Sequence, residues 1–285
     1  MVFFMLLCVS RLVPQRHRTR ASLGKRIVRG MIRLMTIVLV HGNPETDALW
    51  DPFAEVLGRD DVVRLSPPGF GAPLPDGFSA TFLAYRDWLE DQLEGIDGPV
   101  DLVGHDFGGI HTLNAVMHRP ALVRSWVIDV LGIFDPDYEW HDLAQVWQTP
   151  GEGEQLIESF LGGTPEQRAT VYASAGMPMD VGTAIARGQG PEMGQAILRL
   201  YRSAAQPAMA QAGRGLEKAA DRPGLSILAT EDTYVGSAEI RRRAADRAGA
   251  RTEVLDGLGH WWMVEDPARG AAVLTRFWDE LEQPE

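Results

Sequence analysis

Asp106 lies in the run Asp101-Leu-Val-Gly-His-Asp-Phe-Gly-Gly109, where a short apolar stretch ends in Gly-x-Asp-x-Gly. Small residues on both sides let a strand turn sharply into a helix. Such a turn forces the central residue into a strained conformation and lifts its side chain above the sheet edge. The helix that follows points its N-terminus at the carboxylate and favours the ionised form. A carboxylate attacks acyl groups poorly, because the product would be a high-energy anhydride. It can instead displace a leaving group at an sp³ carbon, giving an alkyl ester that activated water then hydrolyses. Epoxide C–O bonds and carbon–halogen bonds suit that chemistry. Alone, the motif reads equally well as a Gly-rich turn with a capping Asp.

An Asp nucleophile needs a base for water, an acid to orient the base, and donors for the ester carbonyl. The base candidate is His260, in Gly257-Leu-Gly-His-Trp261, directly after the last strand pattern. The acid candidate is Asp232, in Ala229-Thr-Glu-Asp-Thr233, with Glu231 beside it. Asp129, at the end of the preceding strand pattern, is the alternative acid. The backbone N–H groups of Asn43 and Phe107 would form the oxyanion hole. His105 and His111 read as packing or helix-surface residues. No pair of His or Cys has a ligand spacing, so no metal is expected. Neither Gly-x-Gly-x-x-Gly nor a P-loop occurs, and no cofactor is expected.

Strands and helices must place these residues together. Strand patterns fall at 36–40, 62–65, 100–104, 125–130, 225–230 and 252–255. Helix patterns fall at 50–57, 82–96, 107–118, 238–248 and 267–281, the last opened by Asp266 as N-cap and Pro267 at the first position. This alternation with short connections predicts an α/β fold, a mostly parallel sheet flanked by helices. Between Leu131 and Arg222 the alternation stops and helix-like stretches follow, at 143–148, 154–161, 193–202 and 208–219. Residues 132–221 thus read as an inserted helical cap over the carboxyl edge of the sheet. Residues 35–131 and 222–285 form the core.

The 285 residues suffice for one large domain or a domain plus a cap. The single cysteine, Cys8, fits a reducing compartment, and we expect a cytoplasmic protein. No apolar run approaches the ~18 residues of a membrane span. Residues 1–34 carry eight Lys/Arg and no acid, which leaves 19 basic against 39 acidic residues, or −20, for the rest. Such an acidic body is a poor partner for nucleic acid. The basic segment reads as a disordered tail, or as sequence upstream of a true start at Met31 or Met35; a basic interfacial anchor is the alternative. The cap is rich in Ala, Met and Leu, which points to a mid-sized apolar small-molecule substrate. A homo-oligomer is compatible with the sequence.

His41-Gly-Asn-Pro44, Pro68-Gly-Phe-Gly71, Gly104-His-Asp-Phe-Gly-Gly109, Asp232 and Gly259-His260 occur in that chain order. Together they resemble the α/β-hydrolase superfamily over about Thr36 to Leu281, and within it the Asp-nucleophile branch of epoxide hydrolases and haloalkane dehalogenases. Gly-His-Asp-x-Gly-Gly is similar to epoxide hydrolases, which use two cap tyrosines to protonate the opening oxygen. Tyr138, Tyr172 and Tyr201 lie in the cap, and Tyr201 is the first choice. His-Gly-Asn-Pro is similar to haloalkane dehalogenases, in which that Asn binds the leaving halide together with a Trp after the nucleophile. Phe107 occupies the Trp place and offers no side-chain N–H; Trp140 or Trp147 would have to supply one from the cap. The resemblance implies substrate contacts for His41, Trp140 and Tyr201. It implies an epoxide hydrolase first and a haloalkane dehalogenase second. A non-catalytic small-ligand receptor of the same fold is the third reading.

Overall fold

The computed structural model describes residues 35–283. The basic segment 1–34 lies outside the described residues. Six strands form one sheet: β1 (Thr36–Val40), β2 (Val62–Leu65), β3 (Val100–Gly104), β4 (Ser125–Ile128), β5 (Gly224–Ala229) and β6 (Ala250–Leu255). Their order is β2-β1-β3-β4-β5-β6, and every pairing is parallel. The sheet is therefore the parallel, helix-flanked one expected from the alternation of elements, as the α/β-hydrolase fold implied by the resemblance requires.

The burial of each strand follows from its sequence. β3, β4 and β5 are buried at every position and β1 at all but its first. Parallel strands covered on both faces need near-continuous apolar runs, and Thr36-Ile-Val-Leu-Val40 is one. The edge strands β2 and β6 are largely exposed or half-buried and carry Arg64, Arg251 and Glu253. Alternate residues of β1 serve opposite layers. Val38 and Val40 face a core with Leu89, Leu113 and Phe107. Ile37 and Leu39 face another with Phe53, Leu274 and Phe277. Helices α1 (Asp51–Leu57), α2 (Phe82–Glu94) and α3 (Phe107–His118) cover the first strands.

From Leu131 to Arg222 there is no strand. This segment holds α4 (Asp142–Gln148), α5 (Glu152–Leu161), α6 (Pro165–Ser174), α7 (Met179–Arg187), α8 (Pro191–Ser203) and α9 (Ala208–Ala212), then a 3₁₀ stretch over Gly213–Asp221. The expected helix at 208–219 is thus α-helical only at its start. α6 and α7 lack a counterpart in the sequence reading, since both are short and polar-faced. α8 buries Met193, Ala196, Ile197, Leu200 and Tyr201, the 3–4 spacing of an amphipathic helix. It lies against α5 so closely that a Cβ on Gly194 would come within 2.5 Å of Ile157 Cγ2. After β5 come α10 (Ala238–Arg247), α11 (Trp262–Glu265), which the sequence reading lacked, and α12 (Pro267–Glu282). Asp266 caps α12 through the N–H of Arg269, as its position before Pro267 predicts.

The chain visits β1, steps out to β2, then returns past β1 to β3. The switch in direction lies between β1 and β3, where the loops after the two strands separate and leave a crevice. Asn43 follows β1 and Asp106 follows β3. Among the described residues no helix is long and apolar enough to cross a membrane.

Candidate active site

Asp106 has φ 49° and ψ −126°, a left-handed conformation that a β-substituted residue adopts only under constraint. The constraint is steric. A Cβ on Gly42 would fall 2.3 Å from Asp106 Cβ, and one on Gly108 would fall 2.3 Å from the Val40 carbonyl oxygen. Glycine at these two positions lets β1, the elbow and α3 touch. The Asn43 N–H donates to Asp106 Oδ1 at 2.9 Å. Phe107 is the first residue of α3, so its N–H has no carbonyl within the helix to bind. Of the two expected oxyanion donors, the Asn43 N–H contacts the carboxylate, and the Phe107 N–H lies at the start of the helix next to Asp106 in sequence.

His260 and Asp232 meet at the same edge. His260 Nδ1 lies 2.9 Å from Asp232 Oδ2, and His260 Nε2 lies 4.0 Å from Asp106 Oδ2. That gap keeps the ring and the carboxylate out of direct hydrogen-bond contact. Burial pushes the Asp106 carboxyl up to about 6, against the pull of the His260 and His105 rings. Burial penalises the charged His260 ring, but the Asp232 carboxylate outweighs it and holds the ring pKa above the ordinary histidine value. Asp232 is itself held down to about 2, its burial overcome by His260 and by the Tyr234 N–H.

Asp129 is bound elsewhere. Its Oδ2 takes His105 Nδ1 at 2.6 Å and the Trp262 indole N–H at 2.8 Å, and its Oδ1 accepts the Asp106 N–H at 3.1 Å. It holds the elbow from behind and does not reach His260. The other side of His105 faces Glu45, whose Oε1 is 3.3 Å from His105 Nε2. Glu45 also accepts the Gly42 N–H at 3.0 Å and the Trp261 indole N–H. Burial resists the charges of Glu45 and His105, yet attraction wins: His105 lowers Glu45 to about 2, and Asp129 and then Glu45 raise His105 well above its ordinary value. Ligand-type atoms of Glu45, His105 and His260 lie within 4.8 Å of one another. Each histidine already has a carboxylate on Nδ1, and His105 has Glu45 on Nε2, so the group reads as a buried ion-pair cluster. Glu45 escaped the sequence reading because an isolated acid after a turn has no spacing signature.

Above Asp106 opens a cavity of about 580 Å³ between sheet edge and helical segment. Asn43, Asp106, His260 and Tyr201 line it, with Leu143, Trp147, Phe160 and Val171 among its apolar wall. Of the expected substrate contacts, Tyr201 is at the wall, and His41 and Trp140 are not. His41 is fully buried with Nδ1 on the Gly42 carbonyl, and burial lowers its pKa. Trp140 stacks on Phe107 with ring centroids 5.9 Å apart, and its N–H goes to the Ala204 carbonyl. Phe107 is likewise buried and does not line the cavity. Tyr172 and Tyr138 donate their hydroxyls to the carbonyls of Pro44 and Tyr234. Trp147 Nε1 is buried without a partner, and the buried Asn43 carboxamide makes no hydrogen bond of ordinary geometry, with Tyr201 beside it. His141 and Tyr234 also line the cavity, and sequence spacing marked neither.

A strained elbow, a parallel sheet and this chain order of Asp, Asp and His define a class, and the comparison with known families agrees. The chain belongs to the alpha/beta hydrolase family, whose profile matches residues 37–273. Among curated proteins it is 29% identical over 94 residues to the (E)-2-((N-methylformamido)methylene)succinate hydrolase of Acinetobacter baylyi, covering 32% of this chain and 36% of that protein. This chain therefore spans only about a third of that relative's length. Among solved structures it is similar to a haloalkane dehalogenase loop variant from Bradyrhizobium elkanii, with TM-score 0.63, 18% identity, and 87% and 91% of the two chains covered. It is also similar to an E-2-(acetamidomethylene)succinate hydrolase, with TM-score 0.60, 18% identity, and 86% and 91% covered. At such identities the likeness to solved structures is one of fold.

Proposed function

We propose that this chain is a cofactor-free hydrolase that opens epoxides through an ester on Asp106. The observation that carries the reading is the elbow carboxylate itself, with Oδ1 on the Asn43 N–H and Oδ2 facing His260 Nε2. One oxygen is held as the future carbonyl, and the other is free to attack.

Asp106 Oδ2 attacks a ring carbon, the C–O bond breaks, and its electron pair stays on the former epoxide oxygen. Tyr201 Oη gives that oxygen a proton. Burial raises the Tyr201 pKa well above normal, and the Asp106 charge adds to it, so the hydroxyl stays protonated until the alkoxide forms. His260 then takes a proton from water, and the hydroxide adds to the ester carbon while the Asn43 and Phe107 N–H groups hold the oxyanion. Collapse releases the diol and the Asp106 carboxylate, and the His260 proton returns to Tyr201. Asp232 keeps the His260 ring oriented and stabilises its charged form. The mostly apolar wall suits a mid-sized apolar substrate.

A single turnover in ¹⁸O-water tests this route. The ester path places the label in Asp106 and leaves the first-turnover diol unlabelled. Direct attack of water on the epoxide would label the diol and overturn the reading.

The unpartnered Trp147 indole N–H, with the Asn43 carboxamide on the same cavity wall, favours a second reading, haloalkane dehalogenation. Both line the cavity and would hold a leaving halide. Halide release from 1-bromohexane, with no diol from any epoxide, would select it.

A further inference from the structure

The helical segment grips the loop after β1 through a buried triangle of hydrogen bonds. Pro44 follows Asn43 in that loop, and its carbonyl oxygen accepts twice from the segment. One bond comes from the Tyr172 hydroxyl at 2.7 Å, the other from Gln189 Nε2 at 2.7 Å. Gln189 Nε2 also donates to the Tyr172 oxygen at 2.5 Å, which closes the triangle. Arg168 orients the amide, because its Nε donates to Gln189 Oε1 at 2.9 Å. A guanidinium only donates, so the amide oxygen must face it and the NH₂ must face Pro44. Arg168 is fixed in turn by the carbonyls of Leu161 and Gly163 at the end of α5 and of Ala186 in α7. Arg168 and Tyr172 are four residues apart in α6 and share a face. All three side chains are at most 9% exposed, and Pro44, Arg168 and Tyr172 line the cavity over Asp106. Burial, and then the charge of Glu45, raise the Tyr172 pKa well above normal, so its hydroxyl stays a donor.

Gly42 gives Asn43 a permissive neighbour, so anchors on both sides decide where the Asn43 N–H points. On one side Glu45 holds the Gly42 N–H at 3.0 Å. On the other, Tyr172 and Gln189 hold the Pro44 carbonyl. Between them the Asn43 N–H meets Asp106 Oδ1 at 2.9 Å. We propose that Gln189 and Tyr172, oriented by Arg168, are positioning residues that aim the Asn43 N–H for hydrolysis of the Asp106 ester. The inference rests on the ester reading above and holds for either leaving group. The movement of charge confines it to one step. When Asp106 Oδ2 attacks carbon, negative charge drains from Oδ1, and a donor there gives that step no help. When hydroxide adds to the ester carbon, the carbonyl π pair moves onto Oδ1. A full charge then develops where a fixed N–H counts most. The helical segment in this way completes the oxyanion hole as well as covering the cavity.

The test separates the two steps in full-length enzyme at saturating styrene oxide, or 1-bromohexane should only halides alkylate it. Quenched intact-protein mass spectrometry reads the alkylated fraction at steady state. Turnover divided by that fraction gives the rate of ester decay, and turnover divided by the remainder gives the rate of formation. Gln189→Glu keeps the size of the side chain and its tie to Arg168 but cannot donate to Pro44 once ionised. Tyr172→Phe keeps the ring and removes the other donor. The double variant should lower ester decay about 10-fold and leave formation within twofold, so the ester accumulates. Each single variant should show a smaller shift of the same kind. Decay at the parent rate would overturn the inference, as would an equal fall in both steps, which is what mere loosening of the fold produces. If His260→Gln forms no adduct with epoxides or alkyl halides, the ester reading itself falls, and this inference with it.

Discussion

Two histidine–carboxylate pairs flank Asp106, and their rings lie only 4.6 Å apart. In one, Asp232 binds Nδ1 of His260, and Nε2 is turned to the cavity and to Asp106. In the other, Asp129 binds Nδ1 of His105, and Nε2 is turned to a second acid, Glu45, with no solvent access. The chemistry of the two pairs is the same, and what faces the far nitrogen differs. A ring that faces a reactive carboxylate across a gap can move a proton. A ring clamped between two acids carries charge and fixes the backbone. We read the first pair as the base and the second as the scaffold of the elbow. Each assignment has consequences that separate them.

The largest effect belongs to Asp106, between the pairs. Asp106→Ala should lower turnover at least about 10⁴-fold, with the urea midpoint maintained or raised, since a buried carboxylate is removed. Steady-state rates beside an unfolding curve check this. His260→Gln should lower turnover roughly 10²–10⁴-fold with a small loss of stability, because the amide can still meet Asp232. His105→Gln should behave in the opposite way. Breaking a buried charge pair costs about 3–5 kcal/mol, and urea unfolding should register it. Comparable stability losses in the two histidine variants would erase the distinction between the pairs.

The pH profiles sharpen it further. Asp106 must be ionised to attack, and its carboxyl is raised to about 6, so the single-turnover alkylation rate should climb as pH rises through about 6. In the scaffold pair the signs differ. Glu45 is depressed to about 2 from 4.5, so its contribution to stability is present above 4.5 and is lost as pH falls toward 2. His105 is raised, so its contribution is complete below 6.5 and is lost only when pH climbs through its elevated folded value. The stability gap between wild type and His105→Gln should therefore shrink on acidification below about 4.5. The smallest effect is that of Trp262→Phe, which removes one N–H from Asp129. It should cost about 1.5–3 kcal/mol by urea unfolding and leave the alkylation rate within a few-fold.

The two pairs also differ in how legible they were. Asp106, Asn43 and His260 follow strands directly, where sharp turns demand Gly and Pro, so local sequence marks them. The structure then brings Asp232 to His260 and commits Asp129 to the elbow, a choice that depends on side-chain reach across β4 and β5 and leaves no trace in spacing. Glu45 lies two residues after Asn43, yet its partner His105 is far along the chain, and only the fold joins them. The inner strands β1, β3, β4 and β5 were readable because parallel strands buried on both faces are nearly continuous apolar runs. The helical segment was less so. α8 shows its 3–4 periodicity, whereas α6 is short and polar, announced only by its Thr164-Pro165-x-Gln167 capping box. Tyr201 and Trp140 are two aromatic residues of one segment, and nothing local separates the one facing the cavity from the one packed beneath it. His141 escaped because a pocket histidine that also caps a helix looks like an ordinary helix start.

The most direct test of the Asp106 ester is intact-protein mass spectrometry of His260→Gln incubated with epoxides and alkyl halides. Without the base, hydrolysis of the ester stalls and the intermediate should accumulate. The account predicts a mass gain equal to the whole epoxide, mapping to Asp106 after digestion. A gain equal to the alkyl group alone, seen only with halides, would keep the nucleophile and change the substrate. A folded protein that gains no mass from any of them would contradict the ester mechanism.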